Sequence, residues 1–146
     1  MANDPGRVVL RLSNDLRLIA GVAAAVGHIA ERAGCDARAQ AELVAAAEEA
    51  CRDTLPLLTD AEAPLEVIIE DFPDRVEVTL EHQGQLLPAA GLETFVVPGV
   101  VGPGGLSGLK LLAHVDRVQY DTHAGTSRFT LIKYIQPQLD KTKERA

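Results

Sequence analysis

The chain has 146 residues, 47% of them hydrophobic and 24% charged, with a formal net charge of −7, the make-up of one globular domain large enough for a genuine core. That charge argues against binding nucleic acid by phosphate neutralisation, aromatics at 3% leave little for base stacking, and no apolar run approaches the ~20 residues of a membrane span. Asp4, Pro5 and Arg7 stand where a signal peptide would place its basic region and apolar core, and Cys35 and Cys51 have neither disulfide-framework nor metal-ligand spacing, so a cytoplasmic protein with reduced thiols is expected.

Residues 7–12 (RVVLRL) read as a short strand. A helix follows, with Ser13, Asn14 or Asp15 as N-cap and Leu18, Val22, Ala25 or Val26, and Ile29 on its apolar face, stopping at Gly34. Asp36 then caps a second helix whose stripe is Ala39, Leu43, Ala46, Ala47, Ala50 and Cys51. Thirteen of residues 20–50 are alanine, which favours helix and permits close helix approach. Pro56 lacks a backbone donor and restricts Leu55, ending this helix near Thr54.

LEVIIEDF (65–72) and RVEVTLEHQ (75–83) flank a Pro73-Asp74 turn. Val76, Val78 and Leu80 alternate with Glu77, Thr79 and Glu81, so the pair is an antiparallel hairpin with one solvated face. Residues 84–108 are rich in glycine and proline and hold Glu93 as their only charge, the composition of a functional loop or lid. A short helix is predicted over Leu106–Val115. Arg117–Thr122 and Thr126–Ile135 form a second hairpin around His123-Ala124-Gly125. The expected architecture is α+β, a two-layer α/β sandwich with a mixed, mostly antiparallel sheet and its helices on one face. One domain spans 1–136, with a polar tail at 137–146.

Charge is unevenly spread: residues 36–81 hold 13 of the 21 acids, which a solvated acidic face explains without any function. His28, His114 and His123 have no carboxylate or cysteine at ligand spacing, and Ser13, Ser107 and Ser127 lack a nucleophile elbow. Zinc and hydrolase chemistry are therefore not expected.

Three segments point to chemistry. In AAAEEACRD (45–53), Glu49 and Asp53 are four apart on a helix and share a face, so both can reach one ligand. EHQGQLLP (81–88) ends a strand in His82, Gln83 and Gly84. GPGGLSGLKLLAHVDRVQY (102–120) sets Gly102, Gly104, Gly105 and Gly108 before a helix start, where glycine permits close backbone approach and free N–H groups can receive phosphate oxygens. It is not a P-loop, since no Gly-Lys-Ser/Thr follows. AGTSRFTLIKYI (124–135) closes the chain of motifs.

Taken in this order, the segments resemble the GHKL (histidine-kinase-like) ATPase domain, the Bergerat fold, over residues 8–135. Within it the chain is most similar to bacterial anti-sigma-factor serine kinases. The resemblance implies that Glu49 is the general base toward a protein serine hydroxyl and that Asp53 holds Mg2+, where the family usually carries asparagine. It implies that His82 and Gly84 meet the adenine, where the family carries Asp-x-Gly. Gly102, Gly104, Gly105, Gly108 and Leu109 would cradle the phosphates, and Thr126 would lie near the nucleotide. ATP and Mg2+ are the implied cofactors. A sigma factor, an anti-anti-sigma factor, or both, are the implied partners, together with homodimerisation. Three readings stay open. The favoured one is a regulatory protein that controls a sigma factor by partner switching, with ATP–Mg2+ binding weakened by Asp53 and His82. The others are a fully active serine kinase acting on an anti-anti-sigma factor, and a detached histidine-kinase-type catalytic domain.

Overall fold

The computed structural model describes residues 6–58, 64–83 and 113–135. Strand β1 is Arg7–Leu12, and Asp15 caps a 3-10 turn over Leu16–Leu18 by accepting from the Arg17 backbone N–H at 3.0 Å. Helix α1 begins only at Ile19 and runs to Ala33. Its stripe is Ile19, Val22, Val26, Ile29 and Ala30. Leu18, expected on that stripe, is instead 42% exposed, because the 3-10 turn winds at a different pitch and rotates it away from the helix layer.

Gly34 ends α1 at φ 102°, a left-handed conformation that costs a residue with a Cβ about 1–2 kcal/mol. Asp36 then accepts from the Ala39 N–H at 2.8 Å, a cap that contributes about 1 kcal/mol to helix α2, Ala37–Thr54. Leu43, Ala46, Ala47, Ala50 and Cys51 are buried, five of the six positions assigned to this stripe from periodicity. The two helices lie close enough at Gly27 for Gln40 to donate to its carbonyl at 3.0 Å. A Cβ on Gly27 would sit 3.5 Å from Gln40 and Val44. A second 3-10 turn, Leu55–Leu57, carries Pro56 and closes the helical half.

The strands that follow are β2 (Leu65–Phe72), β3 (Arg75–Gln83), β4 (Arg117–His123) and β5 (Thr126–Tyr134). Ala124 and Gly125 turn the last hairpin at φ 52° and 81°, the left-handed pair that matches the twist of the flanking strands. The sheet order is β1-β2-β3-β5-β4. A mixed, mostly antiparallel sheet was expected, and among the described residues every neighbouring pair is antiparallel. Two of these contacts are tight hairpins, and at the other two the chain returns against the direction in which it left.

Alternation along the strands separates two faces. Val8, Leu10, Leu12, Val67, Ile69, Val76, Val78, Leu80 and Leu131 turn toward α1 and α2 and share their hydrophobic core. Removing each large aliphatic side chain from water contributes about 1.5–3 kcal/mol, and the alanines of α2 let its backbone come down onto β3 and β5. Lys133, 13% exposed at its side chain, fastens the layers by donating to Glu42 at 2.9 Å and to the His114 carbonyl at 3.0 Å. Its ammonium holds the Glu42 carboxyl below the ordinary carboxylate range. At the sheet edge, Gly6 and Asp71 exchange hydrogen bonds, the Gly6 N–H donating to the Asp71 carboxylate. Most of the helix predicted over Leu106–Val115, and the tail at 137–146, lie outside the described residues.

Candidate functional site

On α2, Glu49 and Asp53 share one face. The Glu49 side chain is 30% exposed, with its nearest cation, Arg52, 3.8 Å away, a surface contact of at most ~1 kcal/mol. Asp53 is different. Among the described residues its Oδ2 is the one buried side-chain oxygen or nitrogen with no hydrogen-bond partner. Leaving such an atom dry and unpaired costs about 1–3 kcal/mol, so a fold that tolerates it elsewhere satisfies it with an ion or ligand. A hard, anionic, uncommitted oxygen suits Mg2+. No three metal-ligating side chains converge among the described residues. A magnesium ion here would thus take one or two carboxylates and fill its shell with water and phosphate oxygens, as Mg2+ commonly does. Asp53, with Glu49 one turn away, fits that donor set.

His82 closes the helix-facing row of β3 after Val76, Val78 and Leu80. It is 7% exposed and stands opposite Ser127 in the ladder. Its Nδ1 lies 3.1 Å from the Gln83 carbonyl oxygen. A carbonyl can only accept, so Nδ1 carries the hydrogen and, in the neutral ring, Nε2 carries the lone pair. In that tautomer the free acceptor of the ring is Nε2.

Thr126 sits elsewhere. It pairs with Gln83, and alternation turns it to the face that has no helices. There it borders a cavity of about 160 Å³ shared with Arg11, Pro64, Glu66, Glu81, His82 and Gln83, and a second of about 260 Å³ between Glu81 and the β4–β5 turn. The residue that shares the inner row with His82 is Ser127, 1% exposed, whose Oγ accepts from the Tyr120 hydroxyl at 3.3 Å. Sequence reasoning weighed Ser127 only as a nucleophile and not as an inward-facing hydroxyl. The signal available was the turn: a two-residue Ala124-Gly125 loop pairs His123 with Thr126 and so fixes which hydroxyl faces inward. Gly84, Gly102, Gly104, Gly105, Gly108 and Leu109 lie outside the described residues.

The helix-free face carries a row across four strands: Arg11, Glu66, Glu81 and Arg128. Glu66 and Glu81 are direct cross-strand neighbours, a repulsive pairing, and each is matched by an arginine, Arg11 on Glu66 at 3.1 Å and Arg128 on Glu81 at 3.0 Å. Burial pushes the Cys51 thiol up to about 12 and raises that of Cys35 as well, so neither offers a thiolate nucleophile at neutral pH.

Among known structures the chain is similar to the crystal structure of the RsbU and RsbW domains of Rv1364c from Mycobacterium tuberculosis, with a TM-score of 0.63 and 18% identity, covering 90% of this chain. The likeness is one of fold, an α/β sandwich with a five-stranded antiparallel sheet. The chain spans 33% of that longer protein. No family model and no curated protein matches the sequence. Among the described residues no helix is long and apolar enough to cross a membrane.

Proposed function

We propose that this protein is a partner-switching regulator of the anti-sigma-factor kinase type, which binds a sigma factor, an anti-anti-sigma domain, or each in turn. The observation that carries the reading is the likeness of fold, over 90% of the chain, to a structure that contains an RsbW domain. The order of motifs along the sequence supports it independently. In this reading ATP and Mg2+ modulate partner choice. Asp53 would hold the metal through its uncommitted oxygen, and His82 would receive a donor from the base. The bound nucleotide supplies the phosphoryl group when transfer occurs. Glu49, partly exposed and only loosely paired, would take the proton of an incoming serine hydroxyl.

The substitutions favour regulation over full kinase activity. A second carboxylate charge beside a triphosphate opposes binding unless the metal compensates it. A neutral imidazole also accepts more weakly than the carboxylate it replaces.

Two measurements test this. Titration calorimetry with ATP and Mg2+ should show weak binding that strengthens when Asp53→Asn and His82→Asp are combined. Purified sigma factors and anti-anti-sigma domains from the same organism should form a complex with the chain in native mass spectrometry. Failure of every such pair to associate would sink the regulatory reading. Transfer of labelled phosphate from ATP to a serine of an anti-anti-sigma domain, abolished by Glu49→Gln, would instead establish the active kinase.

A further inference from the structure

We propose that β4 is an interface for a second copy of this chain, the two strands pairing antiparallel about Gln119 so that Arg117 of each meets Asp121 of the other. The proposal is read from the strand itself and is independent of the nucleotide and partner-switching readings above. β4 closes the order β1-β2-β3-β5-β4. No proline, glycine or lysine within Arg117–His123 blunts it in the ways that natural edge strands commonly are blunted. The two-residue Ala124-Gly125 turn makes His123 and Thr126 a hydrogen-bonded pair. Bonding alternates along an antiparallel ladder, so the backbone groups of Asp121 and Gln119 turn to β5 and those of Thr122, Tyr120 and Val118 turn away from it. Side chains alternate as well. Arg117, Gln119 and Asp121 lie exposed on the helix-free face, whereas Val118 is buried opposite Leu131 on the helix side.

Charge then chooses the register. Among the described residues neither Arg117 nor Asp121 belongs to an ion pair. Asp121 stands opposite Arg128, whose guanidinium is bonded to Glu81 at 3.0 Å instead. Arg117 donates to the Gln119 side-chain oxygen at 3.1 Å, a contact that leaves its charge uncompensated. A twofold interface repeats every contact in reverse. Centred on Gln119, it sets Arg117 and Asp121 of the two copies directly opposite each other, at the non-hydrogen-bonded positions where side chains come closest. Val118 and Tyr120 of each copy exchange backbone hydrogen bonds with Tyr120 and Val118 of the other. Centred on Tyr120 instead, the pairing would set Arg117 against His123 and Asp121 against Gln119, and neither charge would be met. The opposite edge of the sheet offers no such match. β1 (RVVLRL) holds no acid, and pairing it on itself about Val9 sets Arg7 against Arg11.

A seam this short falls below the size of a standard interface, so association is sought at protein concentrations on the order of 0.1–1 mM. Sedimentation equilibrium of the full chain should show monomers in exchange with dimers. Arg117→Asp and Asp121→Arg, both at exposed positions, should each weaken the dimer about tenfold or more, because each turns its opposite-charge pairs into like-charge pairs. Asp121→Arg also lowers the net charge, so general repulsion does not explain its loss of association. An equimolar mixture of the two variants should regain wild-type association, and native mass spectrometry should find the heterodimer. In that mixture each charge at the two positions faces its opposite, so recovery also shows that both variants are folded. Wild-type protein that stays monomeric throughout would overturn the proposal. So would single variants that dimerise like the wild type, which would put the interface elsewhere, or a mixture that associates no better than its components.

Discussion

The same five strands present two unlike faces, and alternate residues of one strand serve different ends. On the helix side Val78, Leu80 and Leu131 are at most 1% exposed and share one core with α1 and α2. On the other side Arg11, Glu66, Glu81 and Arg128 make a charged row with side chains 24% to 68% exposed. His82 and Ser127, two polar residues of the inner face, occur at the end of their rows, where the aliphatic core stops. The contrast separates the interior of the inner face, which carries the aliphatic core, from its margin, where the polar side chains gather.

Truncation should show this most strongly. Leu131→Ala should cost about 2–5 kcal/mol in denaturant unfolding, whereas a comparable loss on truncating Arg128, three residues earlier on the opposite face of the same strand, would erase the distinction between faces.

Alkali offers the next test. The folded Cys51 thiol keeps its proton to about 12, against an ordinary value of 9.0. Between those values the unfolded chain binds fewer protons, so stability is intact below the ordinary thiol range and falls as pH rises through this window. Cys51→Ala should lack that component, which paired melts of the two proteins would reveal.

Asp53→Asn should stabilise the nucleotide-free protein by about 1 kcal/mol, because it removes a charge whose oxygen is buried and unpaired. A lowered melting temperature would mean that Asp53 already serves the fold. The Thr79 and Thr130 hydroxyls, 3.2 Å apart and nearly buried on the helix-free face, should give a coupling of about 0.2–1 kcal/mol in a double-mutant cycle. Arg128→Ala should cost at most ~1 kcal/mol, less at high salt.

The fold was legible because its determinants are local. Asp36, Gly34 and Pro56 mark helix ends by the groups they can or cannot offer the backbone. The strict alternation of 75–81 likewise declares a half-buried strand. Leu18 was misread because a 3-10 turn and an α-helix share much the same residue preferences and differ in pitch. The candidate site was less legible, since its residues lie on separate elements. Glu49 and Asp53 can be paired by helical spacing alone, but the isolation of the Asp53 oxygen belongs to packing. The inward turn of Ser127 depends on the register set two residues earlier. The tautomer of His82 follows from a carbonyl that no pattern in the sequence announces.

The seam between β3 and β5 has a consequence for how the chain assembles and varies. Each of β2–β3 and β4–β5 is a hairpin of neighbouring residues, while the nine-rung ladder from Arg75 to Gln83 against Thr126 to Tyr134 joins them across a long sequence separation. Closing that seam spans residues 84–116, and loop-closure entropy rises by only about 0.6 kcal/mol for each doubling of the connection. The long connection therefore adds little entropic cost to the seam, whose nine rungs fix the register of the two strands at its ends.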